Sequence, residues 1–324
     1  MKIINNCIKE MNHFGKLKIP ILFIIDFEMK MPLIVPIKGI PSDKIKYFFN
    51  GITNSEIFNT ENKIVKIQKH PILFNEYELA FNKVKQNLNL GNSYLTNLTF
   101  PTKIEINYSL LEIFNHSKSK YKLFLENKMV VFSPETFIKI ENNLISSFPM
   151  KGTIDAKISK AKELLLKNEK EIAEHNTIVD LIRNDLSIVS KNVHVEKFRY
   201  LEEITTNEKS LLQASSKISG ELEANFNERI GDIIFALLPA GSVSGAPKKK
   251  TLEIIKEAET IDRGYYTGIC GYFDGTKLDS FVMIRYIEQK NNELFYRSGG
   301  GITTKSNLQS EYNELIDKVY VPIF

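Results

Sequence analysis

The chain has no tryptophan, and only two cysteines and 11 prolines in 324 residues. Cys7 and Cys270 are far apart and match no metal-ligand spacing. They read as free thiols of a reducing, cytoplasmic setting, which excludes a disulfide framework. There is no charge block either: the net charge of +4 is spread over scattered lysines. That gives nucleic acid no footing, while a mildly positive cleft for an anionic ligand remains compatible. No long apolar run is present. The most apolar window, residues 19–37, is interrupted by Asp26, Glu28 and Lys30, and reads as two strands around a turn, not as a membrane span. The opening "MKIINNCIKEMNHF" has no apolar core or cleavage pattern of a secretory signal. What is left, 43% apolar and 25% charged, is the composition of a soluble globular protein. Its length suits one large domain or two ordinary ones.

Strand-like runs occupy 19–37, 62–74, 94–100 and 121–149, with helical spacing at 75–90 and from about 157 to 186. Further helices fit 227–238, 247–258 and 309–319, and further strands 266–273, 280–288 and 293–298. Strands and helices come in separate runs, and neighbouring strands look hairpin-linked. The expected class is therefore α+β with a large, mostly antiparallel sheet system.

Three groups of residues could carry chemistry. In "FSPETFIKIENNLISSFPMKGT", two strands flank Asn142-Asn143, a two-residue hairpin turn. With Glu141 opposite Leu144, antiparallel pairing sets Glu135 opposite Met150, beside Lys151. The ordinary reading is a surface ion pair. Sheltered from water, the same pair would be an uncharged amine nucleophile and a protonated acid. The second group is acidic: Glu174 on one helix, and Glu311, Glu314 and Lys318 at i, i+3 and i+7 on another. Such glutamates are ordinarily solvated, but carboxylates from two helices can share Mg²⁺. The third is glycine-rich, "LPAGSVSGAPKKKTLEII" and "RSGGGITT". Neither has phosphate-loop spacing, and no G-x-G-x-x-G follows a strand. Arg285, in "SFVMIRYIE", is either an edge-strand charge or a fork for a carboxylate.

Taken together, these segments resemble the chorismate-utilising enzymes over roughly residues 75–324. The likeness rests on "GNSYLTNL" (Gly91 to Leu98), Ser133-Pro134-Glu135, Pro149 to Thr153, Glu174 to Asp185, and Gly241 to Lys248. Ile284-Arg285, Gly299 to Ile302 and Glu311 to Lys318 complete it in the family's order. The branch it most resembles is aminodeoxychorismate synthase component I, because the residue before Gly152-Thr153 is lysine where anthranilate-forming and many isochorismate-forming relatives have alanine.

The resemblance implies large, mostly antiparallel sheets packed as a sandwich with helices outside. It implies one catalytic domain over 1–324, with 1–74 a short strand-rich extension. Glu174 and Glu314, with Glu311 close by, are implied to bind Mg²⁺ against the ring carboxylate of chorismate. Gly152 and Thr153 would lie along that carboxylate. Arg285, Gly299 and Lys318 would receive the enolpyruvyl carboxylate near Tyr272, and Ser244, Gly300 and Gly301 belong to the same substrate-binding set. Lys151 is the implied nucleophile and Glu135 the acid-base group. Ammonia is implied to come from a separate glutamine amidotransferase subunit. Departures are Gln213 where anthranilate-forming relatives usually have histidine, "IDAKIS" without the usual arginine, and "DLSIVS" for the commoner D-L-G-R-V. The short lead before the motifs argues against a complete tryptophan-binding part, so feedback by tryptophan is not expected. Anthranilate or isochorismate formation, and a catalytically silent chorismate-binding subunit, are the alternatives.

Overall fold

Strand Ile21–Ile25 is buried on both faces, and its alternation divides the protein's interior. Leu22 and Ile24 point into one core with Tyr47, Phe49, Leu123 and Val131; Ile21, Phe23 and Ile25 point into another with Met11, Ile230 and Ile234. A strand covered on both faces needs apolar residues at every position, which this run supplies. The computed structural model describes residues 2–56, 63–205 and 210–323, without the side chains of Thr153, Lys170, Ile204, Thr205 and Leu211. Two nine-stranded sheets, antiparallel at every pairing, enclose the first core between them. Helices cover the outer faces, among them Glu169–Ser187 on one sheet and Phe74–Asn89 and Leu308–Asp317 on the other. The expected sandwich is therefore observed. No helix among the described residues is long and apolar enough to cross a membrane.

The turn at Asn142-Asn143 forms as expected, with φ of 52° and 61° and Glu141 paired to Leu144. Asparagine tolerates this left-handed backbone, which a two-residue hairpin turn requires.

Four expectations change. Residues 1–74, expected strand-rich, also hold a helix, Lys2–Lys16, whose buried stripe of Cys7, Met11 and Gly15 is flanked by partly buried Ile4, Ile8 and Phe14 at helical spacing. Of the stretch 62–74, residue 62 lies outside the described residues and Ile67–His70 is the strand. The helical stretch 157–186 is two helices, Ala161–Lys167 and Glu169–Ser187, because extended Asn168 ends one and caps the next through Glu171 N–H.

Most consequential is "SFVMIRYIE", which is not one strand. Leu278–Val282 belongs to one sheet and Tyr286–Lys290 to the other, and the chain crosses between them at 283–285. A second crossing, Pro134-Glu135, links Met129–Ser133 to Thr136–Glu141. Backbone bonds tie the two crossings together: Val282 N–H to Glu135 C=O at 3.1 Å, and Phe132 N–H to Arg285 C=O at 3.0 Å. Two charged residues thus emerge where the sheets meet.

Candidate active site

Strand Met150–Asp155 pairs with Ser210–Glu221, and its register slips between Met150↔Ser215 and Thr153↔Gln213. Three steps on one strand oppose two on the other, so Lys151 and Gly152 form a β-bulge. Gly152 takes φ +84°, a left-handed value that costs glycine nothing. A bulge re-aims side chains, and this one turns Lys151 toward the helix Glu169–Ser187. There Lys151 Nζ meets Glu174 Oε2 at 2.9 Å, the two side chains 31% and 16% exposed.

The expected partner differs. The hairpin ladder stops at Ser146↔Lys139, and Pro149 precedes a strand paired elsewhere, so Glu135 and Met150 never form a rung. Glu135 Oε1 instead accepts from Ser242 Oγ at 2.6 Å. Burial pushes the Glu135 carboxyl up, and the Ser242 bond with the charges of Arg285 and Lys318 only partly offsets this. A protonated acid is what this position favours. Lys151 does not match the expectation of an uncharged amine. Burial alone would lower it, but Glu174, Glu314 and Glu171 together hold it above the usual lysine range.

The glycine run lies on strand Glu293–Ile302, paired to Leu95–Ile106. Gly299 C=O accepts from Lys318 Nζ at 2.8 Å, and the same ammonium reaches Glu314 Oε1 at 2.6 Å. A methyl group on Gly300 would stand 3.4 Å from an oxygen of both Glu311 and Glu314, and 3.7 Å from Lys318 Nζ. The bare glycine thus leaves a cradle beneath three charged groups. Gly301 faces Leu95 instead. Burial pulls Lys318 down despite Glu314.

Among the described residues, no three His, Cys, Asp or Glu side chains stand close enough to enclose a metal ion as they are. The donor chemistry nonetheless fits a hard cation. Mg²⁺ usually takes one or two carboxylates and completes its shell with water and substrate. Glu174 and Glu314 offer only oxygen, each held by a lysine ammonium where a cation could compete.

Two of the expected substrate-binding side chains have other partners. The Ser244 hydroxyl is buried and spent on Ala240 C=O at 2.9 Å; Ser242, two residues earlier on the short helix Gly241–Ser244, is the one that faces Glu135. The Tyr272 ring packs at 5.9 Å on both Tyr47 and Phe49 in the inter-sheet core. The tyrosines that interact with the Arg285 charge are Tyr296, Tyr320 and buried Tyr266, the last of them in "RGYYTG".

Sequence reading also passed over Glu171, one turn before Glu174. Its Oε2 is buried without a hydrogen-bond partner among the described residues, close to Gly152. The i, i+3 spacing could have found it. His175 is fully buried, bonded to Ser216 Oγ at 2.7 Å, and burial lowers it to about 4, so it stands neutral. Buried Arg263 braces the site. It grips Glu259 twice and donates to Val243 and Asn97 C=O, tying the Ser242 helix to the strand beside the glycines.

Comparison with known proteins identifies the family. The family described as chorismate binding enzyme matches residues 51–323. A Haemophilus influenzae protein named "Uncharacterized PabA-like protein" is 49% identical over 316 residues, covering 98% of this chain and 96% of that one. Aminodeoxychorismate synthase component 1 of Bacillus subtilis is 31% identical over 77% of this chain, which spans only 55% of that longer protein. Among solved structures, anthranilate synthase component I of Streptococcus pneumoniae superposes with a TM-score of 0.68 at 28% identity, covering 78% of this chain and 58% of that one.

Proposed function

The chain belongs to the chorismate-binding enzyme family, and on that premise we propose that it aminates chorismate to 4-amino-4-deoxychorismate, with ammonia delivered by a separate glutamine amidotransferase subunit. The observation that carries this reading is Lys151, set by its bulge among the carboxylates of Glu174, Glu171 and Glu314. An alanine there would offer no nucleophile.

A cation on Glu174 and Glu314 would offset the carboxylate charge that keeps Lys151 protonated. Having lost its proton to solvent, Lys151 Nζ attacks ring carbon 2. The new C–N bond forms as the ring double bonds shift and the C4–O bond breaks. Glu135 gives its proton to the departing hydroxyl, which leaves as water. Ammonia then bonds to carbon 4 while the bond at carbon 2 breaks, returning its electron pair to the lysine nitrogen. The carboxylate of Glu135 recovers a proton from the new ammonium. Ser242 keeps the Glu135 carboxyl oriented throughout. Glu174 and Glu314, with Glu311 close by, would hold Mg²⁺, which would supply positive charge for the ring carboxylate. Arg285 and Lys318 receive the second carboxylate of the dianion.

Anthranilate is the competing product, favoured by the likeness to anthranilate synthase component I. Lys151, and Gln213 in place of histidine, argue against it. Incubating the purified protein with chorismate, Mg²⁺ and ammonium, and weighing the product, decides between them. Anthranilate as the main product removes the amination reading.

A further inference from the structure

The residues just past the helix Leu308–Asp317 alternate sharply. Val319 and Val321 are buried, packed in one cluster with Ile113 and Phe114, and Ile323 follows them inward. That alternation turns Tyr320, 42% exposed, the opposite way. There its hydroxyl oxygen accepts from Arg285 Nε at 3.2 Å, and its ring centre lies 5.2 Å from the guanidinium carbon. The ring contact is a cation–π attraction.

Arg285 is constrained from its own side as well. Its φ of +54° is a left-handed value rare for a residue with a side chain. Phe132 holds its carbonyl, and Tyr286 is locked between Val131 and Arg297 in the sheet. Among the described residues, the guanidinium makes one hydrogen bond, through Nε to Tyr320. Both Nη groups therefore remain available, in the planar geometry that suits a carboxylate.

We propose that Tyr320 is a positioning residue for carboxylate recognition: it occupies Nε, fixes the guanidinium plane with its ring, and aims the two Nη groups outward as a fork. Its own O–H, having accepted from Nε, stays free to donate to the same carboxylate. Resting on the function proposed above, the ligand group is the enolpyruvyl carboxylate of chorismate. A residue that merely packed would weaken all ligands alike, whereas a positioning residue weakens only those that carry the second carboxylate.

The test is equilibrium binding by calorimetry, with Mg²⁺ and no ammonia, so that it does not depend on the product formed. Tyr320→Ala weakens chorismate binding roughly tenfold and Tyr320→Phe roughly threefold. In turnover, KM rises while kcat stays within about twofold. Benzoate, which has a ring carboxylate and no side chain, binds both variants as it binds the unaltered protein. In an Arg285→Lys background the Tyr320→Phe loss disappears, because the two residues act as a unit. Unchanged chorismate affinity in Tyr320→Ala, equal losses for both ligands, or fully additive losses in the double variant overturn the assignment. So does failure of the unaltered protein to bind chorismate. Ligand-selective weakening together with no amino product supports Tyr320 and removes only the amination reading.

Discussion

Lys151 Nζ lies 2.9 Å from Glu174 Oε2, joining the bulged strand to the long helix. The proposed nucleophile and a proposed metal ligand thus hold one another. Charge neutralisation between them explains how an amine and a carboxylate both tolerate partial burial.

Lys151→Ala removes the attacking atom. Amination by ammonium should fall on the order of 10³-fold or more, with the protein still folded by circular dichroism. Full activity in this variant would end the covalent route.

Glu135 must be protonated to act, and its carboxyl is pushed above the usual range. The rate should therefore fall as pH rises through that elevated value. Ser242 donates to Glu135 and favours its ionised form, so Ser242→Ala raises the carboxyl further and moves the falling limb to higher pH. A pH–kcat profile that shifts the other way contradicts the assignment. Glu135→Gln, which has no proton to give, should cost roughly 10²–10⁴ in kcat.

Removing divalent cations with a chelator should abolish turnover, and Mg²⁺ should restore it. Glu314→Gln should raise the Mg²⁺ concentration giving half-maximal rate, since it removes the negative charge of one proposed ligand. Activity indifferent to chelation would refute a metal role for Glu174, Glu311 and Glu314.

Adjacent glycines should separate stability from function. A methyl group on Gly299 would stand 2.3 Å from Leu98 O, so Gly299→Ala must move backbone and should lower the melting temperature. Gly300→Ala meets its neighbours at ordinary contact distance. It should fold normally yet lose activity by filling the cradle under Glu311, Glu314 and Lys318. Thermal melts beside turnover numbers check both.

Arg263 and Glu259 form a buried pair, their side chains 1% and 5% exposed. Glu259→Ala leaves the guanidinium buried without its anion and should cost about 3–5 kcal/mol. Urea unfolding would show this, and a loss under 1 kcal/mol would mean that the pair is not needed.

Much of the site could be read in advance because its parts are local. The Asn142-Asn143 turn, the glycine run and the i, i+3 glutamates on Leu308–Asp317 each follow from neighbouring residues. The differences have a common cause. Placing Ser244 and Tyr272 at the substrate, and Met150 opposite Glu135, assumes directions that only packing fixes. Extending one ladder past Pro149 assumed a register; the strand moved to a different neighbour.

The sequence by itself determined which side chains are available, where most strands and helices lie, and the family to which the chain belongs. Those properties depend on spacing over a few residues, where backbone geometry and side-chain period act directly. Only the tertiary structure decided that Lys151 pairs with Glu174, that Ser242 holds Glu135, and that Arg285 sits where the chain changes sheets. These pairings follow from a bulge and two crossings. A single inserted residue there reverses the face a side chain takes, and local pattern carries no record of it.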